Sequence, residues 1–175
     1  KNSLFHNNTS TSGASCLYLS ASTINSGTVL GINVNLINST FTNNSGVNGN
    51  VIRTDNGSNT YLKNSILYGN GSATPINYTG IGGPGLSNTI SEGGQISGIN
   101  SNPLLNANYT LQAGSPAIDA GNNGLLASGM SFDLNGNARI VGTNVDMGAY
   151  EYDAALATND FNSFSDFSMY PNPAN

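Results

Sequence analysis

The sequence predicts an all-β protein of the β-solenoid class, on three observations. Asn, Ser, Thr and Gly supply half of the 175 residues, and all four are poor residues for a helix interior. Only 7% of the residues are charged, against about 25% in an average globular protein. Short runs of alternating apolar and polar residues also recur through the first part of the chain. The length suits one domain with a core of its own.

Charge and hydropathy exclude three other classes of protein. The net charge is −5 with four basic residues, too few to neutralise the phosphates of a nucleic acid. Disordered chains combine low hydrophobicity with high charge, whereas 37% of this chain is hydrophobic. No apolar run approaches the roughly 20 residues of a membrane-spanning helix. We expect a folded monomer with no nucleic-acid partner and no membrane span.

The repeat has a period in the twenties, which is typical of one coil of a β-solenoid. Residues 34–41 align with residues 60–67. Three pairs of identical residues then coincide at a constant offset of 26 residues: Asn38/Asn64, Ser39/Ser65 and Asn44/Asn70. Residues 3–8 align with the second repeat at an offset of 36. An inserted corner loop within residues 22–32 accounts for this excess.

The corner asparagines Asn38 and Asn64 are predicted to form a hydrogen-bonded ladder. Stacked strands lie about 4.8 Å apart, so identical side chains stand above one another and an amide can bond its copy in the next coil. Asparagine also tolerates the left-handed backbone angles of a corner. We expect such coils over residues 1–100, with a glycine-rich loop over 80–98 that holds one more short strand at 86–90.

Residues 102–152 carry a resemblance to a known family. The runs are NPLL at 102–105, YTLQAGSPAIDAG at 109–121, DLNGNAR at 133–139 and VDMGAYEY at 145–152. In this order they resemble the closing motif of the choice-of-anchor Q family, which are secreted and surface proteins of bacteria with a pectin-lyase-like fold. The resemblance implies a right-handed parallel β-helix whose C-terminal coils are followed by a closing or capping segment over 101–152.

The end of the chain carries a second, shorter resemblance. FSMYPNPAN at 167–175 is similar to the opening of a C-terminal sorting domain of the type IX secretion system. It implies a linker over 153–167, the start of the sorting domain at 168–175, and contact with the secretion machinery. The location implied is secreted or the outer surface of a Gram-negative bacterium. Since the chain opens in mid-pattern, we expect a segment of a longer protein.

The closing segment, defined as residues 101–152, gathers charged side chains that are otherwise scarce. We expect a structural network in which Arg139 pairs bidentately with Asp133 or Asp146. The network residues are Asp119, Asp133, Arg139, Asp146 and Glu151. A solenoid needs its open edge covered, and we expect this segment to cover the last coil.

No cofactor is expected, and calcium is the one alternative. Asp133, Asn135 and Asn137 place oxygen ligands at alternate positions, as hard cations require. The run departs from an EF-hand because its sixth position is Ala138 rather than glycine. Turn-forming Asx side chains explain the same pattern without a metal.

The repeat region offers little for catalysis. Paired acid and base groups are needed to cleave polysaccharides, and the ionisable candidates here are few: His6, Arg53, Asp55, Lys63 and Glu92. Arg53 and Asp55 share one strand face with Lys63 in the next strand, which is the nearest arrangement to an active site. A surface ion pair is the favoured interpretation.

Aromatic residues in the repeats suggest a binding surface instead. Tyr18, Tyr61, Tyr68 and Tyr78 combine apolar rings with polar tips, and stacking of the coils would align them as a flat ladder suited to glycans. The alternative is that they are ordinary strand residues. We therefore expect a non-catalytic protein that contacts a polysaccharide or a cell-surface glycan. Two alternatives stay open: a fragment of a polysaccharide lyase or glycoside hydrolase whose catalytic coils precede Lys1, and a passive spacer.

Overall fold

Three parallel sheets make up most of the fold, which confirms the predicted all-β class. The computed structural model describes residues 1–24, 28–55, 57–79 and 84–154. The first sheet has the order β1 (Ser3–His6), β6 (Ser39–Thr42), β9 (Ile66–Leu67), β12 (Ile90–Ser91). The second sheet has the order β2 (Leu17–Ser20), β7 (Ile52–Asp55), β10 (Ile76–Thr79). The third sheet has the order β5 (Asn33–Ile37), β8 (Asn59–Lys63), β11 (Gly85–Ser87).

The chain visits these sheets in a fixed order, which we call a circuit: first, second, third, and then first again. Paired residues of β5 and β8 are 26 residues apart, and those of β7 and β10 are 24 apart. The first circuit is longer. Its extra residues lie between β2 and β5, where β3 (Ser22–Ile24) and β4 (Thr28–Leu30) form an antiparallel pair. The insertion predicted within residues 22–32 is therefore confirmed.

The core lies between the three sheets. Because side chains alternate along a strand, each strand sends one set of apolar residues inward. Phe41, Ile52 and Leu62 come from different sheets, are fully buried, and belong to one cluster. The ring of Phe5 stacks on that of Phe41 with centroids 4.4 Å apart. Burial of each such side chain contributes about 1.5–3 kcal/mol.

Four asparagines occupy the corner that leads into each strand of the first sheet. All have left-handed backbone angles, with φ between 46° and 49°: Asn2, Asn38, Asn64 and Asn88. Asparagine visits this region at lower cost than most other residues because its short side chain bonds locally. The prediction that Asn38 and Asn64 turn corners is confirmed, and the chain repeats this solution in all four circuits.

The predicted ladder between Asn38 and Asn64 is wrong. Both are fully buried, but their amides donate to the closing segment: Nδ2 of Asn38 to the carbonyl of Asp146, and Nδ2 of Asn64 to that of Asn122, both at 3.0 Å. The remaining two corners do the same. Nδ2 of Asn2 donates to the carbonyl of Phe132, and Nδ2 of Asn88 to that of Ala120.

A ladder of the predicted kind does form at the other end of these strands. Nδ2 of Asn8 donates to Oδ1 of Asn44 at 2.9 Å, and Nδ2 of Asn44 donates to Oδ1 of Asn70 at 3.1 Å. The backbone N–H groups of Asn8 and Asn44 donate to the same oxygens. The carboxylate of Glu92 ends the series by accepting from the N–H of Asn70 at 3.0 Å. Amide stacking therefore uses the asparagine that follows the strand.

The closing segment lies along the column of corner asparagines, so the expectation that it covers the last coil alone is wrong. Its contacts reach from Asn2 in the first circuit to Asn88 in the fourth. Apolar side chains support this placement, because Leu111, Ala117 and Met147 are buried in one cluster with Ile66 and Ile90 of the first sheet. The segment is mostly turns and bends, with a short 3-10 helix at Asn123–Leu125.

Candidate functional site

The outer face of the second sheet carries the best-organised exposed polar cluster. Tyr18, Arg53 and Asn77 are in register on β2, β7 and β10, and Asp55 and Thr79 are in register one pair further on. These positions alternate with inward residues such as Ile52 and Thr54, which are buried. Strand alternation and register therefore bring together residues that lie far apart in the sequence.

Asp55 is the centre of this cluster. It accepts from the Tyr18 hydroxyl at 2.9 Å and from the Thr79 hydroxyl at 2.6 Å. It also forms an ion pair with Arg53 at 3.0 Å. The hydrogen bond from Arg53 lowers the pKa of Asp55, and the two hydroxyls act in the same direction. The carboxylate is therefore ionised at neutral pH and holds three side chains from three strands.

Tyr18 presents its ring to solvent under restraint. The ring is 57% exposed, its hydroxyl is bound by Asp55, and the Arg53 guanidinium lies 5.3 Å from its centroid. A cleft of about 430 Å³ opens beside it, with Ser10, Ser12 and Gly13 on its other side. A fixed aromatic ring beside hydroxyl and guanidinium donors can bind a ligand that offers both an apolar face and hydroxyl groups.

The flat ladder of tyrosines expected on one face does not form. Tyr18 and Tyr78 lie on the second sheet, Tyr61 on the third, and Tyr68 directly after β9 of the first. Tyr61 lies close against Gly85, where an added Cβ would come within 2.9 Å of its ring. Only Tyr18 stands within the polar cluster described above.

Sequence reasoning missed Thr79 as a member of this cluster. It pairs with Asp55 because the circuit shortens to 24 residues at β10, whereas a constant offset of 26 would place Ile81 there. The apolar match between Ile52 and Ile76 is the signal that could have revealed the change. Lys63 does not join the cluster, because it lies on the third sheet.

The network of the closing segment is buried, and its ion pair differs from the prediction. Arg139 is 1% exposed and pairs with Glu151 at 2.8 Å rather than with the carboxylates of Asp133 or Asp146. Its other donors bind backbone carbonyls of Asp146, Gly148 and Ala149. The planar guanidinium suits this task, because it offers five donors in a fixed fork.

The acidic side chains around Arg139 organise backbone. Asp146 accepts from the N–H groups of Asp119 and Tyr152. Glu151 accepts from the N–H of Asp146 at 3.0 Å. Burial raises the pKa of Glu151 to about 8, with the neighbouring carboxylates of Asp146 and Asp133 adding to the rise and Arg139 opposing it. Asp119 bonds the N–H of Asn144.

Asp133 acts as a turn-forming Asx residue. Its Oδ1 accepts from the N–H groups of Asn135 and Asn137, both at 2.9 Å, and its Oδ2 from that of Glu151. Both oxygens thus face N–H donors, whose positive ends repel a cation. In the described parts of the chain, no group of three His, Cys, Asp or Glu residues is placed to hold a metal ion.

The remaining expectations concern the tail and relatives of the chain. The predicted sorting-domain start, and all of the linker except Asp153 and Ala154, lie outside the described residues. Among the described helices, none is long and apolar enough to cross a membrane. Comparison with protein-family models, curated proteins and solved structures finds no match to this chain.

Proposed function

We propose that the chain belongs to a right-handed parallel β-helix that is exported and contacts glycans without catalysis. The fixed order of the three parallel sheets and their registers of 24 and 26 residues support the β-helix. The resemblance of residues 102–152 to choice-of-anchor Q proteins, and of 167–175 to a sorting domain, supports export through the type IX machinery to the surface or medium.

One observation carries the glycan contact: the restrained, exposed ring of Tyr18 beside an open cleft. An aromatic ring that is fixed before binding loses little conformational freedom when a ligand packs against it. Ser10, Ser12 and Arg53 add hydroxyl and guanidinium groups at the rim, which suit the hydroxyls of a sugar.

The surroundings of Asp55 favour binding over catalysis. A glycosidase acid needs a raised pKa and a second carboxylate about 5–9 Å away. Asp55 has a lowered pKa, and the groups that hold it are Arg53, Tyr18 and Thr79, all of which favour its ionised form. Its arrangement is that of a structural ion pair.

A glycan array probed with the whole chain tests the proposal. We expect retention of at least one class of oligosaccharide, and a loss of about fivefold or more in Tyr18→Ala, because removal of an aromatic contact costs about 1 kcal/mol. Phe132→Ala is the matched control, since it removes a ring that is 62% exposed on the closing segment. Failure to retain any glycan would contradict the proposal and favour the spacer. Release of shortened sugars would favour the enzyme.

A further inference from the structure

A second cleft opens where the closing segment meets the ends of β6 and β9. Its volume is about 290 Å³, and its walls include Thr42, Asn43 and Tyr68 on one side and Asn102, Asn106 and Tyr109 on the other. It lies on the first sheet and is separate from the Tyr18 cluster on the second. Residues 102–109, which we call the cleft loop, form its outer wall.

Two tyrosine rings line this cleft, and both are held in place. Tyr68 packs against the cluster of Ile66 and Ile90. The hydroxyl of Tyr109 accepts from Nδ2 of Asn7 at 3.1 Å, and its ring lies against that of His6 with centroids 4.6 Å apart. The ring of Tyr109 is therefore fixed by contacts from the first circuit, about a hundred residues earlier in the chain.

The backbone of the cleft loop is held in an unfavourable conformation. Tyr109 has φ 67° and Leu104 has φ 49°, in the left-handed region that bulky residues rarely adopt. Each such residue costs about 1–3 kcal/mol and persists only where the surroundings enforce it, often at a ligand site. Here the N–H of Tyr109 donates to the carbonyl of Asn106 at 2.9 Å, which closes the turn that presents the ring.

The described side chains that line the cleft carry amides, hydroxyls and aromatic or aliphatic groups, and none has a formal charge. A charged ligand would lose hydration there without gaining an opposite charge, which is costly. A ligand with hydroxyl groups and an apolar face can use both kinds of wall.

On the basis of the proposed glycan contact, we infer that this cleft binds an uncharged sugar unit, packed between Tyr68 and Tyr109. The amides of Asn43, Asn102 and Asn106 provide donors and acceptors for its hydroxyls. The cleft is then a subsite for neutral polysaccharide, distinct from the surface around Tyr18.

Isothermal titration of the whole chain with cellohexaose and mannohexaose tests the inference, with hexagalacturonate as the acidic comparison. Tyr109→Asn removes the ring and keeps a residue that tolerates φ above zero. Thr42→Val removes one hydroxyl at nearly constant shape, and serves if the first variant melts early. We expect neutral hexamer binding that weakens about fivefold or more in Tyr109→Asn, weakens in Thr42→Val, and is unchanged in Phe132→Ala.

The outcomes separate this inference from the proposed function. Neutral binding that is unchanged in folded Tyr109→Asn and Thr42→Val overturns the cleft and leaves the proposed function in place. Binding of hexagalacturonate alone does the same. If neither the neutral nor the acidic oligomers bind and the array is also blank, the proposed function fails and the cleft fails with it.

Discussion

Replacement of Arg139 by methionine tests whether the closing segment is held by its buried guanidinium. The side chain is 1% exposed and makes four bonds: to Oε1 of Glu151 at 2.8 Å, and to the carbonyls of Gly148, Asp146 and Ala149 at 2.9, 3.0 and 3.1 Å. Each lost bond leaves a buried acceptor and costs about 1 kcal/mol. Breaking a buried pair costs about 3–5 kcal/mol in general.

We therefore expect Arg139→Met to lower the free energy of unfolding by about 4 kcal/mol, a large part of the 5–15 kcal/mol typical of a domain. Urea unfolding followed by circular dichroism measures it. Glu151→Gln should cost far less at pH 7, because it keeps the acceptor oxygen and the pKa of Glu151, about 8, makes the native side chain mostly neutral there.

Arg53→Met provides the matched control, since it removes an exposed arginine from an ion pair of similar length. It should leave the unfolding midpoint unchanged, because exposed pairs contribute little. The reasoning is refuted if Arg139→Met unfolds at the same urea concentration as the unmodified chain. It is equally refuted if Glu151→Gln costs as much as Arg139→Met, since the carbonyl bonds would then contribute nothing.

Three further outcomes follow from buried groups. Asn64→Gly keeps the left-handed corner but removes two bonds to Asn122, at 3.0 and 2.9 Å, so urea unfolding should show a loss of about 2–3 kcal/mol; Asn48→Gly, an exposed corner with φ 56°, should show none. Burial raises the pKa of Glu151 from 4.5 to about 8, so the folded state binds this proton more tightly than the unfolded state. The free energy of unfolding should fall as pH rises through that interval, by up to about 1.4 kcal/mol per pH unit, and Glu151→Gln should flatten this profile across unfolding curves at pH 5, 7 and 9. Burial also raises the pKa of the Cys16 thiol, so alkylation by iodoacetamide at pH 7 should be slower in the folded chain than in urea; equal rates would contradict the burial.

The sequence predicts the stacking of circuits well because stacking repeats local chemistry. The coincidence of Asn38 with Asn64, and of Asn44 with Asn70, reflects true register at 26 residues. The dipeptide Asn-Ser or Asn-Thr marks every corner, at Asn2, Asn38, Asn64 and Asn88. Because the same backbone angle is required in each circuit, the same residue recurs, and a single sequence can reveal it.

Partner choice within the column could not be predicted in the same way. Asn38 bonds a residue 108 positions away, and Arg139 chooses Glu151 over Asp133 and Asp146. These partners depend on how the irregular closing segment lies on the sheets, and that path has no period. The spread of the tyrosines has a related cause, since alternation decides which face of a strand a side chain takes but not which sheet the strand joins.

Every site described above depends on the 26-residue register between neighbouring circuits. In a Cys16→Ser background, Asn33→Cys with Asn59→Cys places two thiols on paired positions of β5 and β8, where neighbouring strands are about 4.8 Å apart and a disulfide can form. Asn33→Cys with Lys63→Cys is the control, because its thiols are separated by about 13 Å along the strand. Stacked circuits predict rapid intrachain oxidation of the first pair and none of the second, read by intact mass and by mobility without reductant. Equal oxidation of both pairs, or oxidation of neither, would contradict the stacking.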